Sequence, residues 1–578
     1  MSGRRAAPAT GAARGSGGAR SRGSAPGSGN GAVRGDTGAA RGGGVGLADV
    51  PPGLPGQPGS AGPPPPGGSG DTAGLARGGV ANLAGAALAA VAGVGVTWLV
   101  ARGLGPVAAG SFFAATSAFV LVGGIARLGT TTALVYWPAR LRAQGRPELI
   151  GPCLRSGLVP VAVLGLALGI AVWLSAERFV PEYAAPLTML ALFLPVAALS
   201  EALLAATRGY RMMRPTVLLE KIMRPATQLL CVGSLAVLAL SDIVSPPSTW
   251  ALAWVLPYVP GAAIAGFLVW RRWHHEPTLT RRDRIAARIE GRTVGSAFWR
   301  YTAPRALANA AQTALQRVDV LMVAGLAGLA PAAAYAVAGR FVVLGQLANG
   351  SIAQVVQPRL AETLSVGDRA GALRLYQTAT AWLVMISWPL HLIVATYADL
   401  YLGLFGATYT AAAPAVRVLA AAMLISTGCG MVDMVLSMAG RTTWNLMNVL
   451  LALVTMVAID LVAIPRLGVL GAAIGLAAAV AVNNLLPLAQ LATSMRLHPF
   501  GSGTRTAMAL AATSFGVVPW LVRLVVPSQP VGAGAALVLA AGVYFGGLRR
   551  FQDRLGLPAL LAAARPGRRN TVKTASQG

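Results

Sequence analysis

From residue 76 onward the chain alternates long apolar stretches with short polar breaks. Uncharged windows run from Gly78 to Ala101, Gly103 to Ala126, Ser156 to Ala176 and Ile243 to Trp270. Each can cross a hydrocarbon layer as a helix, which takes about 20 residues. The pattern predicts fourteen spans: 76–101, 106–137, 153–176, 183–207, 214–240, 248–271, 299–327, 331–360, 373–402, 411–439, 443–464, 468–494, 505–526 and 530–549. The fold class expected is therefore an all-α polytopic membrane protein.

The polar breaks alternate in charge. Every second loop is basic: Arg140, Arg142, Arg146 and Arg155; Arg208, Arg211 and Arg214; the run from Arg271 to Arg300; Arg359, Arg369 and Arg374; Arg441; Arg496 and Arg505. The loops between them carry one basic residue or none, Arg102, Arg178, Arg417, Arg466 and Arg523 being the candidates. Because basic loops stay cytoplasmic, this places both tails inside the cell and the protein in the plasma (inner) membrane as a multi-pass protein. The longest hydrophilic connection separates six spans from six, with two left over. The expected domains are a disordered Gly/Pro/Arg-rich cytoplasmic tail over 1–73, a first six-helix lobe over 76–271 and a basic linker over 272–298. A second lobe follows over 299–494, then two extra helices over 503–549 and a cytoplasmic tail over 550–578. The N-terminal tail has almost no large apolar side chain to offset its ordering entropy, and no apolar run follows Arg4 and Arg5 as a cleavable signal requires.

Composition narrows the function. The 578 residues are 55% hydrophobic and only 11% charged, against about 25% charged in soluble domains. The net charge of +28 is spread over tails and alternate loops, so it marks topology and not a nucleic-acid surface. Cys153, Cys231 and Cys429 are far apart, so neither a metal cluster nor a disulfide framework is expected. No cofactor motif is present. A membrane glycosyltransferase or polymerase needs an acid/base constellation on a sizeable loop, and the non-basic loops are short, so no enzyme is expected.

A weak repeat organises the spans. "WLVARGLGPVAAGSFF" at 98–113 returns as "MVAGLAGLAPAAAYAV" at 322–337, keeping an L-x-P pattern. Each copy leads to a proline near the end of the next span, in "YWPARL" and "VQPRLA". With "RVDVLMVAGLAGLAPAAAYAVAGRF", "QPRLAETLSVGDRAGALRLY", "LFGATYTAAAPAVRVLA" and "IPRLGVLGAAIG", the chain resembles the multidrug/oligosaccharidyl-lipid/polysaccharide (MOP) exporter superfamily. Within it the match is to polysaccharide-unit flippases and their lipid II flippase relatives. The resemblance implies two six-helix lobes in a V, alternating access to a central cavity, and movement of a polyprenyl-pyrophosphate-linked saccharide from the inner to the outer leaflet. Membrane lipids, a coupling H+ or Na+, and polysaccharide polymerase or glycosyltransferases are the partners it implies. A cation-coupled multidrug exporter of the same superfamily is the alternative; it should carry a carboxylate in the first span, which has none.

Ionisable groups within spans cost about 2.5–3.5 kcal/mol each on insertion scales and should face protein or water. Arg340, nine residues beyond Pro331 and so about 13 Å below the turn, falls near mid-depth. Arg127 and Arg305 lie toward the cytoplasmic end, and Arg317 in the opposite half. A ladder of guanidinium groups suits pyrophosphate, whose oxygens the planar fork binds bidentately. The resemblance adds Arg102, Arg127 and Arg340 at positions matching cavity arginines of the family. Asp319 is read either as the ligand of a coupling cation or as the charge partner of an arginine on another helix. Asp433 and Asp460 are read as interhelical hydrogen-bond partners.

The charge alternation is testable with single cysteines at Ser241, Ser296 and Ser528 in a cysteine-free background. An impermeant thiol reagent on intact cells should label 241 and 528 and spare 296. Labelling of 296 alone would overturn the topology.

Overall fold

The computed structural model describes residues 69–241, 245–274, 281–526 and 528–557. Most of the tail expected to be disordered lies outside the described residues; the first helix runs from Ser69. Residues 558–578 of the expected C-terminal tail also lie outside them. All regular structure among the described residues is helical, as a bilayer requires of a chain that must satisfy its own backbone.

The helices are α1 (Ser69–Ala126), α2 (Thr130–Ala143), α3 (Ile150–Phe179), α4 (Ala184–Ala191), α5 (Leu194–Gly209), α6 (Arg224–Ala239), α7 (Pro247–Val255), α8 (Tyr258–His274) and α9 (Arg281–Leu315). They continue with α10 (Val318–Leu326), α11 (Leu329–Ala338), α12 (Arg340–Ser365), α13 (Arg369–Thr396), α14 (Ala398–Gly403), α15 (Ala413–Cys429) and α16 (Val432–Met438). Then come α17 (Thr442–Leu467), α18 (Val469–Met495), α19 (Ser502–Ala511), α20 (Val518–Val525) and α21 (Gln529–Arg550). Among the described residues, 11 stretches are long and apolar enough to cross a membrane, or 12 if the bent pair Pro181–Ala191 and Leu194–Gly209 is one span.

The difference from fourteen has two causes. Ala84–Ala143 counts as one 60-residue stretch, yet at 1.5 Å per residue it would be about 90 Å long, three times the hydrocarbon thickness. It is folded back at Gly105 (φ 74°, ψ 171°), which stands just before Pro106. The expected span 299–327 fails on polarity, because α9 carries Arg305, Asn309, Gln312 and Thr313 and breaks before α10. Within the stretch expected as the basic linker, 272–298, α8 runs to His274 and α9 begins at Arg281.

The outside of the bundle is apolar and its inside is small. Along α3, Val159, Val163, Leu166, Ile170 and Trp173 are exposed at helical spacing, while Gly157, Gly165 and Gly169 face in. A Cβ on Gly169 would stand 2.8 Å from the Ala191 carbonyl, so the helices approach to backbone distance. This inversion of a soluble protein is what a lipid-facing multi-pass protein shows.

Two ends of the bundle can be distinguished. The hairpin end holds the turns at Gly105 and Gly328; the basic end holds the arginine-rich loops. Both turn glycines have positive φ and extended ψ (74°/171° and 99°/177°), a conformation glycine adopts without Cβ strain. The L-x-P register of the repeat is therefore two residues off: the structural counterpart of Gly105 is Gly328, not Ala330. The two hairpins also touch. A Cβ on Gly110 would lie 1.9 Å from the Leu329 carbonyl oxygen.

At the basic end, α9 packs along the first half of the chain. Tyr136 and Tyr301 stack at 4.7 Å, a Cβ on Gly129 would meet the Ala306 backbone at 2.7 Å, and Arg146 pairs with Glu290. The hydrogen bond from Arg146 to Glu290 raises that guanidinium's pKa above its ordinary value. The last helices attach elsewhere. Trp382 and Thr504 bridge α13 to Leu555 and α19, and Tyr544 of α21 donates to the Met385 carbonyl at 2.7 Å.

Gly110→Ala is expected to lower the melting temperature of the purified protein by several degrees, the consequence of about 1–3 kcal/mol of overpacking against a backbone carbonyl. Gly123→Ala, whose Cβ meets nothing within 4 Å, serves as the control. Equal behaviour of the two would contradict the close approach of the hairpins.

Candidate functional site

Most of the interior arginines sit where a span is interrupted. Arg127 occupies the break between α1 and α2, followed by Leu128 (φ 50°) and Gly129 (φ 69°). Arg317 stands in the break between α9 and α10, and Arg340 opens α12 directly after the kink at Gly339. Arg224 begins α6 where the wider π-helical turn of Thr216–Met223 ends. Interrupted spans free backbone groups and lodge polar side chains at depth, and such breaks mark transporter binding sites.

The arginines divide by whether they are neutralised. Glu201 of α5 spans Arg127 (3.3 Å) with one oxygen and Arg224 (2.9 Å) with the other. Arg224 also lies over the Tyr258 ring at 4.8 Å. Arg317 and Arg340 have no such partner. Each has a buried Nε without a hydrogen bond, and neither forms an ion pair among the described residues. The two are nonetheless within charge–charge range of each other, with Tyr401 also in range of Arg340 and Asp319 in range of Arg317. Across from them, Phe113 of the first half lies 5.9 Å from the Arg340 guanidinium carbon. Tyr258 links the groups, being within electrostatic range of Arg127, Arg224 and Arg317.

The remaining expected arginines lie apart. Arg305 is exposed, stacks on Tyr301 at 3.7 Å and donates to its carbonyl. Arg102 is exposed at the hairpin end, where it donates to the carbonyl oxygens of Leu404 (3.0 and 3.2 Å) and Gly403 (3.4 Å). Trp98 donates to the same Leu404 oxygen at 2.8 Å, and the Tyr409 hydroxyl to Ala101 at 3.3 Å. These contacts close the hairpin end.

Toward the basic end the same helices present polar faces. On α9 and just beyond it, Arg305, Asn309, Gln312 and Gln316 follow one another at helical spacing, with all but Gln312 exposed. On α12, Gln346, Asn349, Gln354 and Gln357 are exposed on one side. Amide side chains at membrane depth need water or protein partners, so these faces lead from the basic end to Arg317 and Arg340.

Asp319 does not pair with an arginine on another helix. It accepts the Tyr335 hydroxyl (2.8 Å) and the Val320 amide (2.8 Å) and is buried. Asp460 of α17 lies near it, fully buried. Neither Asp460 oxygen has a hydrogen bond, nor does Oδ1 of Asp433, so the expectation of interhelical hydrogen bonds fails for these atoms. The α18 backbone accommodates Asp460 because residue 475 is glycine, where a Cβ would stand 1.9 Å from Oδ1. The described residues contain no group of three or more His, Cys, Asp or Glu side chains able to hold a metal.

Sequence reasoning missed Arg224 and Tyr258. The signal for Arg224 was an arginine just before a proline inside an apolar span, in "KIMRPATQ".

No family model matches the chain, and no curated protein matches it in sequence. Solved structures do match in shape. The lipid II flippase MurJ in an inward closed conformation superposes with a TM-score of 0.60 at 12% identity, over 80% of this chain and 97% of that one. An inward-facing multidrug resistance MATE family transporter of the MOP superfamily gives 0.55 at 14% identity, over 72% and 99%. The chain shares the fold of these two structures. In this fold Arg317 and Arg340 occupy breaks in two neighbouring spans, and Arg102, Trp98 and Tyr409 make hydrogen bonds across the hairpin end.

If the Arg102 contacts hold that end closed, Arg102→Ala should let an impermeant thiol reagent reach a cysteine placed at Ala101 several-fold faster. An unchanged labelling rate would assign the closure to the hairpin packing alone.

Proposed function

We propose that this protein is a flippase that carries a polyprenyl-pyrophosphate-linked saccharide across the plasma membrane by alternating access, for cell-surface polysaccharide or cell-envelope synthesis. The supporting observation is the Arg317/Arg340 pair, two like charges within electrostatic range of each other in the interior, neither in an ion pair among the described residues, with Asp319 the one carboxylate in range of Arg317. Such a pair is costly when empty and favourable when a multiply charged anion lies between the guanidinium groups. A diphosphate fits that demand. A cationic drug does not, which argues against multidrug export.

In this reading residues 76–271 and 299–494 form the two lobes, and the open polar faces of α9 and α12 admit the head group from the cytoplasm. The prenyl chain stays in lipid. Arg317 and Arg340 bind the diphosphate, while Arg127 and Arg224 border it from the first lobe. Rocking of the lobes then opens the Arg102 contacts and shuts the basic end. Fold alone does not set a substrate, so the weight rests on these side chains. Partners would be the enzymes that build and polymerise the saccharide.

Asp319 and Asp460 supply a site for the coupling cation. Two neighbouring buried carboxylates with only Arg317 in electrostatic range of Asp319 favour a proton or a monovalent cation between them. Asp319 sits two residues from Arg317, so occupancy there would bear on the break that carries the substrate arginine.

Complementation of a flippase-deficient strain, read beside protein abundance, tests the site. Arg340→Ala should abolish export at normal abundance, and Arg340→Lys should retain part of it by keeping charge without the bidentate fork. Full export by Arg340→Ala would remove the binding site. Asp460→Asn should leave lipid-linked substrate binding intact and remove the dependence of transport on the cation gradient; a dependence that persists would exclude the carboxylate pair from coupling.

A further inference from the structure

Glu201 raises a question that the binding site alone does not answer. A carboxylate placed among arginines weakens their hold on an anion, yet it sits on two of them, Oε2 toward Arg127 and Oε1 toward Arg224. The three side chains keep 22%, 28% and 20% of their surface open, so packing does not seal the pair of bridges. Tyr258, under the Arg224 guanidinium, holds that arginine in place when the carboxylate leaves it.

We propose that Glu201 is a specificity-determining residue, a resident counter-anion that restricts the arginine site to ligands with two or more adjacent negative charges. This rests on the flippase reading above. The bilayer surrounds the site with singly charged phosphodiester lipids in great excess over any diphosphate. A cluster of four bare arginines would take them. With Glu201 in place, a monoanion must compete with a carboxylate already bound to both first-half arginines and, of the four, finds guanidinium groups outside an ion pair only at Arg317 and Arg340. A diphosphate carries enough charge to satisfy that pair and still draw Arg127 or Arg224 away from Glu201. Selectivity then comes from the weakened attraction for the wrong ligand.

The full-length protein in nanodiscs of neutral phosphatidylcholine would be titrated with a polyprenyl diphosphate and, separately, with phosphatidylglycerol. In the wild type the diphosphate should bind far more tightly. Glu201→Gln, which keeps shape and removes charge, should tighten phosphatidylglycerol binding about tenfold and shrink the ratio of the two affinities. Glu201→Asp should keep the ratio. A ratio unchanged in Glu201→Gln, or both ligands tightened equally, would overturn the proposal while leaving the flippase reading standing. Failure of the wild type to bind the diphosphate would overturn that reading, and the role of Glu201 with it. A purely structural Glu201 would lower the melting temperature of Glu201→Gln without moving the ratio.

Discussion

A guanidinium group inside a membrane protein has to be answered by something, because its charge cannot be shed at physiological pH and its desolvation is costly. Everything distinctive about this bundle follows from how its interior arginines are answered. Arg127 and Arg224 share one carboxylate. Arg317 and Arg340 share none and lie within electrostatic range of each other, with Asp319 in range of Arg317. The cost of that repulsion is borne by the surrounding packing, which includes hairpins touching at backbone distance around Gly110 and a hairpin end tied by Arg102, Trp98 and Tyr409.

The helix breaks explain how such groups are held. A continuous span would present an arginine to a neighbouring helix or to lipid. At Leu128–Gly129, at Gln316 and at Gly339 the helices are interrupted, and the arginine beside each interruption joins a polar interior. The same breaks make the spans jointed, as movement between two access states requires. Binding and motion are thereby located on the same few residues.

Much of this was legible in the sequence, but not all. The apolar periodicity was enough for the polytopic helical class, and the repeated Gly/Pro phrase marked both hairpins. Its register was misjudged by two residues, because L-x-P is a side-chain pattern while the turn is made by whichever residue can take positive φ, here Gly105 and Gly328. Arg340 and Arg317 stood out as charges in apolar surroundings. Their lying within charge range of each other without an ion pair among the described residues, in contrast to Arg127, depends on tertiary geometry that no spacing encodes. Glu201 was visible as a charge, yet its two partners come from spans 74 and 23 residues away. Arg305 read as a member of the ladder and Arg102 as a cavity arginine by resemblance, whereas local stacking on Tyr301 and carbonyl contacts at Leu404 engage them here.

The most direct test of the unpaired arginine site is a cryo-electron microscopy structure of the protein in nanodiscs with a polyprenyl diphosphate bound. The diphosphate should be found between the guanidinium groups of Arg317 and Arg340, with the prenyl chain leaving toward lipid. A ligand bound elsewhere, with Arg317 and Arg340 turned onto Asp319 or Asp460, would contradict the account.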